Sequence, residues 1–589
     1  MLFQIDCGNA LVAGVDPTLR PGPRPVTTSE TDIDVDDIAE ATPHPVRDNM
    51  STRLNRLSMR AEAWQIRLAP RLTLTQRVEA YRGDPDDWTF LRRPALLGFL
   101  AVVSICVGAS LPSSPFKLEG WSGGTWFFGE AAWPTTAWML PGVVAVYGGM
   151  VLFVRVWFGL YQTLRARPNV PIKPLAYMLA LWILPLMAVA PLFSQDVFSY
   201  AAQGEMMSHH INPYHYGPFT LGSGPFVSGV DPRWANTPAP YGPLFLMLAG
   251  WSASLSFHHA LITILLLRVQ SVVGVGLIAY CIPKLARSFG KDPGPAFVLA
   301  VLNPLTLLAL IGGAHNDALM VGLLLAGVTA ARSRHPVWGV VLCALGAAIK
   351  VPAAIGIVYI AWDWAGEGAE WRDRARMLVR TGLITAAVFG ALSLVSGLGW
   401  GWIANLGTPG TVRSWMAPAT AVGLAISGTA HVLGMGVSLA GMLTLTRAIG
   451  LVAAAVIALY CLRHRERMGL LSALGITMLA FVVLGPVVQP WYLTWGIIVL
   501  APIATGRMLW VILGISTVAP FIGLTGGADL LNQLVHTDPV SMVLAVMVLW
   551  AVAIAPLGNW TTSWRLDRSR LAGVPPSHAG QATTPALES

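Results

Sequence analysis

Long apolar runs recur from residue 94 almost to residue 558, separated by short stretches that hold most of the basic residues. Many such runs cannot share one soluble core. Each fits a helix crossing hydrocarbon, where the backbone must satisfy its own hydrogen bonds. Of 589 residues, 54% are hydrophobic and 12% charged, against about 25% charged in a soluble domain. Mean hydropathy is +0.60. The chain reads as an all-α polytopic membrane protein.

The runs fall at 94–112, 140–161, 174–193, 261–281, 294–312, 316–331, 337–349, 352–365, 378–397, 440–462, 469–488, 492–505, 508–524 and 540–558. A span takes roughly 20 apolar residues, so the expectation is about 14 transmembrane segments, the shorter runs being the doubtful ones. Residues 94–558 form the transmembrane domain. Residues 1–50, rich in Pro, Asp and Thr, read as a disordered tail, and 559–589 as a second one. No apolar stretch follows a basic start, so no signal peptide is expected. Residues 51–93 interleave Arg53, Arg56, Arg60 and Arg67 with Leu54, Leu57 and Trp64. They read as a basic amphipathic region on the inner membrane surface or as a solvated linker. The five cysteines are scattered without a paired spacing, so neither a disulfide framework nor a zinc motif is expected.

Arginine and lysine set orientation, because basic loops stay inside. Arg92, Arg165, Lys173, Lys284, Arg332, Arg372, Arg463, Arg507 and Arg565 place both termini in the cytoplasm if 241–257 does not cross and 337–365 is a helical hairpin broken at Lys350-Val-Pro352. Proline at 352 forbids a regular helix there. The net charge of +8 then belongs to cytoplasmic loops, and no nucleic-acid partner is implied. On the outer side this path gathers 194–240, His315-Asn316-Asp317, 398–418 and 488–495. Polar residues at a bilayer are where function concentrates.

Asp196 stands where an apolar run meets water. It fits a general base that takes a proton from an acceptor hydroxyl, or an N-cap for a helix over Val197 to Met207. Glu205 is nine residues on and points to the opposite face. Asp231 pairs more simply with Arg233. Asp317 is a cap or a site residue; His315 orients Asp196, contacts a phosphate, or is an interfacial histidine. Arg268 inside an apolar run is costly unless it meets an anion or snorkels, and a lipid phosphate suits its fork. Lys350 and Arg413 are further phosphate candidates. Tyr200, Gln203, Tyr214, Tyr241, Asn316, Gln489, Trp491 and Tyr492 are candidates to stack on sugars and hydrogen-bond their hydroxyls, the aromatic belt of any membrane protein being the plainer reading. With no Gly-rich phosphate loop or metal-ligand spacing, a divalent metal is not expected and no cofactor is implied.

Ser194 to Gly204, Asn212-Pro-Tyr214, Thr237 to Phe245, His315 to Met320, Lys350-Val-Pro352 and Gln489-Pro-Trp-Tyr492, taken in order, resemble the polyprenol-phosphomannose-dependent α-1,6-mannosyltransferases of the MptB type. The resemblance implies a GT-C glycosyltransferase fold with a site built from extracytoplasmic loops. It implies inverting mannosyl transfer from a polyprenyl-phosphate-mannose donor to a lipid-anchored mannan, as in lipomannan and lipoarabinomannan assembly. It maps the early-loop catalytic carboxylate onto Asp196. The chain departs from many GT-C enzymes in having Gln195-Asp196 rather than paired acids there, and in placing the acid after the third apolar run. A lipid-linked sugar flippase or transporter, or a non-catalytic paralogue of the mannan machinery, remains open. The one-sided clustering of polar residues argues against a transporter.

Overall fold

A computed structural model describes residues 88–111, 121–126 and 139–522, with Ser114, Phe116 and Leu524. The two expected tails, residues 51–87 and the last apolar run at 540–558 lie outside the described residues. Described regular structure is helical throughout. In chain order the α-helices longer than four residues are α1 Thr89–Ser110, α2 Met139–Ala166, α3 Ile172–Ala188, α4 Asp196–Ser208, α5 Pro243–Leu255, α6 Ala260–Ser288, α7 Pro293–Ala300 and α8 Asp317–Arg332. They continue with α9 Pro336–Ala347, α10 Ala354–Trp364, α11 Trp371–Ser396, α12 Pro418–Val432, α13 Leu439–Arg463, α14 Leu470–Val483, α15 Thr494–Leu500 and α16 Gly506–Val518.

Among the described residues, five helices are long and apolar enough to cross a membrane, or six if a bent pair counts as one span. The chain is therefore a multi-pass membrane protein, but the expected count of about 14 is corrected. The cause is local chemistry. Among the described residues, seven further apolar helices run only 10–17 residues, below the roughly 20 that a span needs, and proline opens several of them. A π-helical turn, Thr306–Gly312, bends by 115° into α8, with Ala314 left-handed at φ 54° in the corner. The expected break at Lys350 is present: Lys350 is extended (φ −153°, ψ 125°) between α9 and a 3-10 turn at Val351–Ala353. Helix α12 was not expected; its Ala-, Gly- and Thr-rich sequence carries too weak an apolar signal.

Small residues let the site-bearing helices approach closely. A methyl group on Gly274 of α6 would lie 2.3 Å from the Ala318 carbonyl carbon of α8, and one on Gly322 would lie 2.6 Å from the Gly274 oxygen. A methyl group on Gly204 of α4 would meet the Ala249 oxygen of α5 at 2.4 Å. Gly242 donates its N–H to the Ile349 carbonyl at 3.2 Å, which ties Tyr241 to the break at Lys350.

Arg268, on α6, is fully buried. Its guanidinium donates to the Val189 carbonyl at 2.6 Å and the Gly312 carbonyl at 3.2 Å, and lies 5.5 Å from the Trp126 ring centroid. Leu192 also donates its N–H to Gly312, at 2.9 Å. The cation thus gathers carbonyls freed where α3 ends and where the chain bends before α8.

Overpacking a tight core typically costs about 1–3 kcal/mol. Gly274→Val should therefore lower the melting temperature of the detergent-purified protein, followed by size exclusion after heating, whereas a valine at Gly276, which has open space around it, should leave it unchanged.

Candidate active site

The chain enters the site through a turn in which Phe193 adopts φ 60° and the Ser194 hydroxyl accepts from the Asp196 N–H at 3.2 Å. Asp196 is the first residue of α4. The capping position falls to Gln195, and no side chain caps this helix, so the capping reading of Asp196 is corrected. A carboxylate in the first turn also faces the positive end of the helix dipole.

From Asp196, helical spacing puts Ser199 and Gln203 on the same face, and all three line a cavity of about 740 Å³. The opposite walls are Tyr241, Lys350, the 3-10 segment Gly401–Thr411 from Leu406 onward, and Gln489, Trp491, Tyr492 and Trp495. Segments separated by almost three hundred residues thus converge. Several polar atoms around Asp196 are buried without a protein hydrogen-bond partner: Ser199 Oγ, Gln203 Oε1, His315 Nδ1 and Trp491 Nε1, while both amide atoms of Asn316 are unpaired behind the cavity wall. Buried polar atoms are nearly always paired, so this concentration suits a hydroxyl-rich ligand.

His315 Nδ1 is 3.6 Å from Asp196 Oδ2. Its ring stacks on Trp491, with centroids 4.0 Å apart, and its carbonyl accepts from Ser271 at 3.2 Å. Asp317 is the first residue of α8, behind Asn316, again without a side-chain cap. Its carboxylate accepts from Lys350 Nζ at 2.9 Å and from Trp495 Nε1 at 2.6 Å. The capping reading of Asp317 is therefore corrected too. Lys350, which has no acid beside it in sequence, finds one across the helix break and lies 4.4 Å from the Tyr492 ring centroid.

Loss of bulk water around Asp196 raises its carboxyl to about 6; Lys350 pulls it down and Asp317 pushes it up again. Its side chain keeps 21% of its surface open, through the cavity.

Other candidates lie elsewhere. Arg268 is held by carbonyls and does not line the cavity. Arg413 is exposed next to the cavity-lining Val412. Tyr214 is buried in a small satellite core, its hydroxyl donating to the Tyr241 carbonyl at 2.9 Å. Tyr200 packs edge-on to Tyr241, with centroids 5.1 Å apart, behind the cavity wall and beside Asn316. Asp231 is paired with Arg233 at 2.5 Å. Glu205 faces away from Asp196, toward His209 and His258.

Sequence reading missed Ser199, which helical spacing from Asp196 reveals, and Arg447. Arg447 lies within the apolar run at 440–462, the same signal that marked Arg268. It donates to the Gly410 carbonyl at 2.6 Å and the Val412 carbonyl at 2.8 Å, which fixes the loop side of the cavity.

Residues 95–366 match the family model described as Alpha-(1->6)-mannopyranosyltransferase, N-terminal domain, of the MptA/MptB family, and residues 419–555 match the MptB C-terminal domain. A probable alpha-(1->6)-mannopyranosyltransferase of Mycolicibacterium smegmatis is 35% identical over 393 residues, covering 61% of this chain and 70% of that one. An alpha-(1->6)-mannopyranosyltransferase of Mycobacterium tuberculosis is 34% identical over 437 residues, covering 63% and 72%. Alpha-(1->6)-mannopyranosyltransferase A of the same organism is 31% identical over 440 residues, covering 72% and 83%. With two matched regions flanking the loop side of the cavity and relatives aligned over most of their length, the chain belongs to the MptA/MptB family of alpha-(1->6)-mannopyranosyltransferases.

Proposed function

We propose that this protein is a GT-C mannosyltransferase. It moves mannose from a polyprenyl-phosphate-mannose donor to a hydroxyl of a lipid-anchored mannan, forming an α-1,6 linkage on the extracytoplasmic face. The observation that carries this reading is the placement of Asp196 and Lys350 on the walls of one large cavity lined by aromatic rings and by Ser199, Gln203 and Trp491, whose polar atoms lack a protein partner. Family membership supports the reaction type. Aromatic faces with nearby amides suit sugar rings, and the apolar remainder suits a prenyl chain.

The chemistry follows from these groups. The acceptor oxygen attacks the anomeric carbon while its proton passes to the Asp196 carboxylate. The bond from that carbon to the phosphate oxygen breaks, and polyprenyl phosphate leaves with the electron pair. Attack opposite the leaving group inverts the configuration. A base with a pKa near 6 is ionised at neutral pH yet close enough to it to accept a proton. Trp491 stacks on the His315 ring and keeps it beside Asp196, where a small shift would let the imidazole hydrogen-bond the carboxylate.

The leaving phosphate needs positive charge more than a proton. Among the described residues, Lys350 is the cation on the cavity wall. Its ion pair with Asp317 fixes the ammonium without filling all of its three donors, which leaves it able to meet a phosphate oxygen. Arg413 lies at the rim as a second cation.

Orientation is testable independently of chemistry. A cysteine at Ser223 should react with an impermeant thiol reagent added to intact cells, and one at Ser333 only after permeabilisation. The opposite pattern would place the cavity in the cytoplasm and remove the outer-face proposal.

Asp196→Asn should fold normally and lower mannosyl transfer by about 10²–10⁴, the usual worth of a general base. In the wild type, transfer should fall as pH drops through about 6, where Asp196 takes up its proton. The Asn variant's residual activity should lack that limb. Near wild-type turnover in a folded Asn variant would make Asp196 structural.

Lys350→Gln leaves the Asp317 charge buried and should cost about 3–5 kcal/mol of stability. The double variant Lys350→Gln/Asp317→Asn should regain most of the melting temperature but not the transfer activity. Recovery of activity together with stability would show that Lys350 serves the fold alone.

A further inference from the structure

Away from the cavity, at the far end of α4, three metal-ligating side chains converge. Glu205 and His209 are one helical turn apart, and His209 Nε2 lies 3.0 Å from Glu205 Oε1. His258 arrives from the connection between α5 and α6, and its Nδ1 lies 2.9 Å from Glu205 Oε2 and 3.1 Å from Oε1. One ligand atom from each residue falls within 4.8 Å of the others. Glu205 is buried while both histidines are exposed, so the carboxylate is fixed and the imidazoles are open to solvent.

The backbone is arranged to deliver these groups. Phe257 and His258 adopt φ of 53° and 63°, a left-handed turn that non-glycine residues hold only when the surroundings demand it. That turn sends the His258 ring back over α4, beside His209, with ring centroids 5.6 Å apart. Ser208 donates to the Glu205 carbonyl at 2.8 Å. Glu205 forms no ion pair with lysine or arginine among the described residues; the only groups of potential positive charge on it are the two imidazoles.

We infer that Glu205, His209 and His258 form a divalent transition-metal site, with Zn²⁺ as its best ligand, that clamps the end of α4 to the α5–α6 connection. Two imidazoles and a carboxylate are an established zinc ligand set, with metal–ligand distances of about 2.0–2.2 Å. A tetrahedron of that size has edges of about 3.4 Å, so the 3.0 and 3.1 Å separations of the two imidazole nitrogens from Glu205 Oε1 need to open by only a few tenths of an ångström, and the imidazole nitrogens lie within 4.8 Å of each other. Nitrogen donors favour zinc and its neighbours over Mg²⁺ or Ca²⁺, which take oxygen. Water completes the coordination.

The site lies about 13 Å along α4 from Asp196, at 1.5 Å per residue. It therefore takes no part in the reacting centre and serves as a positioning device for the helix that carries Asp196. Chelation should lower melting temperature, not turnover measured well below melting.

Full-length protein, purified in detergent and stripped with chelator, should bind one equivalent of Zn²⁺ in competition with a chromophoric zinc indicator. Its melting temperature should rise on adding Zn²⁺ but not Mg²⁺. Co²⁺ should give the visible bands of a nitrogen- and oxygen-ligated tetrahedral site. His209→Ala and His258→Ala should each weaken zinc affinity at least about tenfold, the usual scale for losing support at a metal site, and abolish the zinc-dependent rise. The conservative Glu205→Gln should do the same. A wild-type protein that shows no stoichiometric zinc binding would overturn the inference, without any variant needing to fold. So would histidine variants that keep both the equivalent and the zinc-dependent rise, since the contacts would then be hydrogen bonds only.

Discussion

The ion pair between Asp317 and Lys350 holds together two places where helices stop. Asp317 opens α8 after a 115° bend, and Lys350 stands between α9 and α10 in extended backbone. Neither charge is tolerable buried alone. Together, with Trp495 donating to the same carboxylate, they cancel and lock the breaks into register. The rest of the cavity is hung on that register. Trp495 and Tyr492 come with the lysine, His315 comes with the aspartate, and Asp196 is set by α4, which packs closely on α5.

A consistent division of labour follows. Helix bodies in this protein are apolar and pack through small residues, as at Gly274 and Gly322. Helix ends and interruptions carry the groups that can react. Irregular backbone in a membrane protein is tolerated where it is buried in protein or lines a cavity, and the breaks described here do both. Proline does much of the interrupting: Pro352 is second in the 3-10 turn that follows extended Lys350, and Pro490 opens the one that follows extended Gln489. The same residues that shorten the spans therefore shape the cavity.

The sequence revealed these ends better than it revealed the spans. The motifs around Asp196, His315, Lys350 and Gln489 were visible because polar residues in an apolar chain stand out. Their convergence was legible only as a shared side of the membrane. Lys350 meeting Asp317 was not legible, because nothing local records a pairing across thirty-three positions. Arg268 shows the converse limit. A buried arginine announces that it needs a partner, but charge alone does not say whether the partner is an anion or a set of carbonyls; here it is carbonyls. The span count failed for a related reason. Hydropathy registers composition over a window and is blind to where proline or a left-handed residue turns the axis. Helix α12 escaped because small residues score near neutral, although they pack well against α13, where a methyl group on Gly423 would lie 2.6 Å from Thr446 Oγ1.

Arg268 also bears on how the chain is assembled. An arginine near the middle of an isolated membrane helix costs about 2.5–3.5 kcal/mol on insertion scales. Of its acceptors, Met187 and Val189 are synthesised before α6, and Gly312 is synthesised after it. When α6 leaves the ribosome, two of its three carbonyl acceptors are already in the bilayer and the third is still to be made. The helix can therefore shed its penalty in two steps, first against α3 and then when the bend before α8 arrives, so biogenesis of the site has a direction that follows the order of the chain.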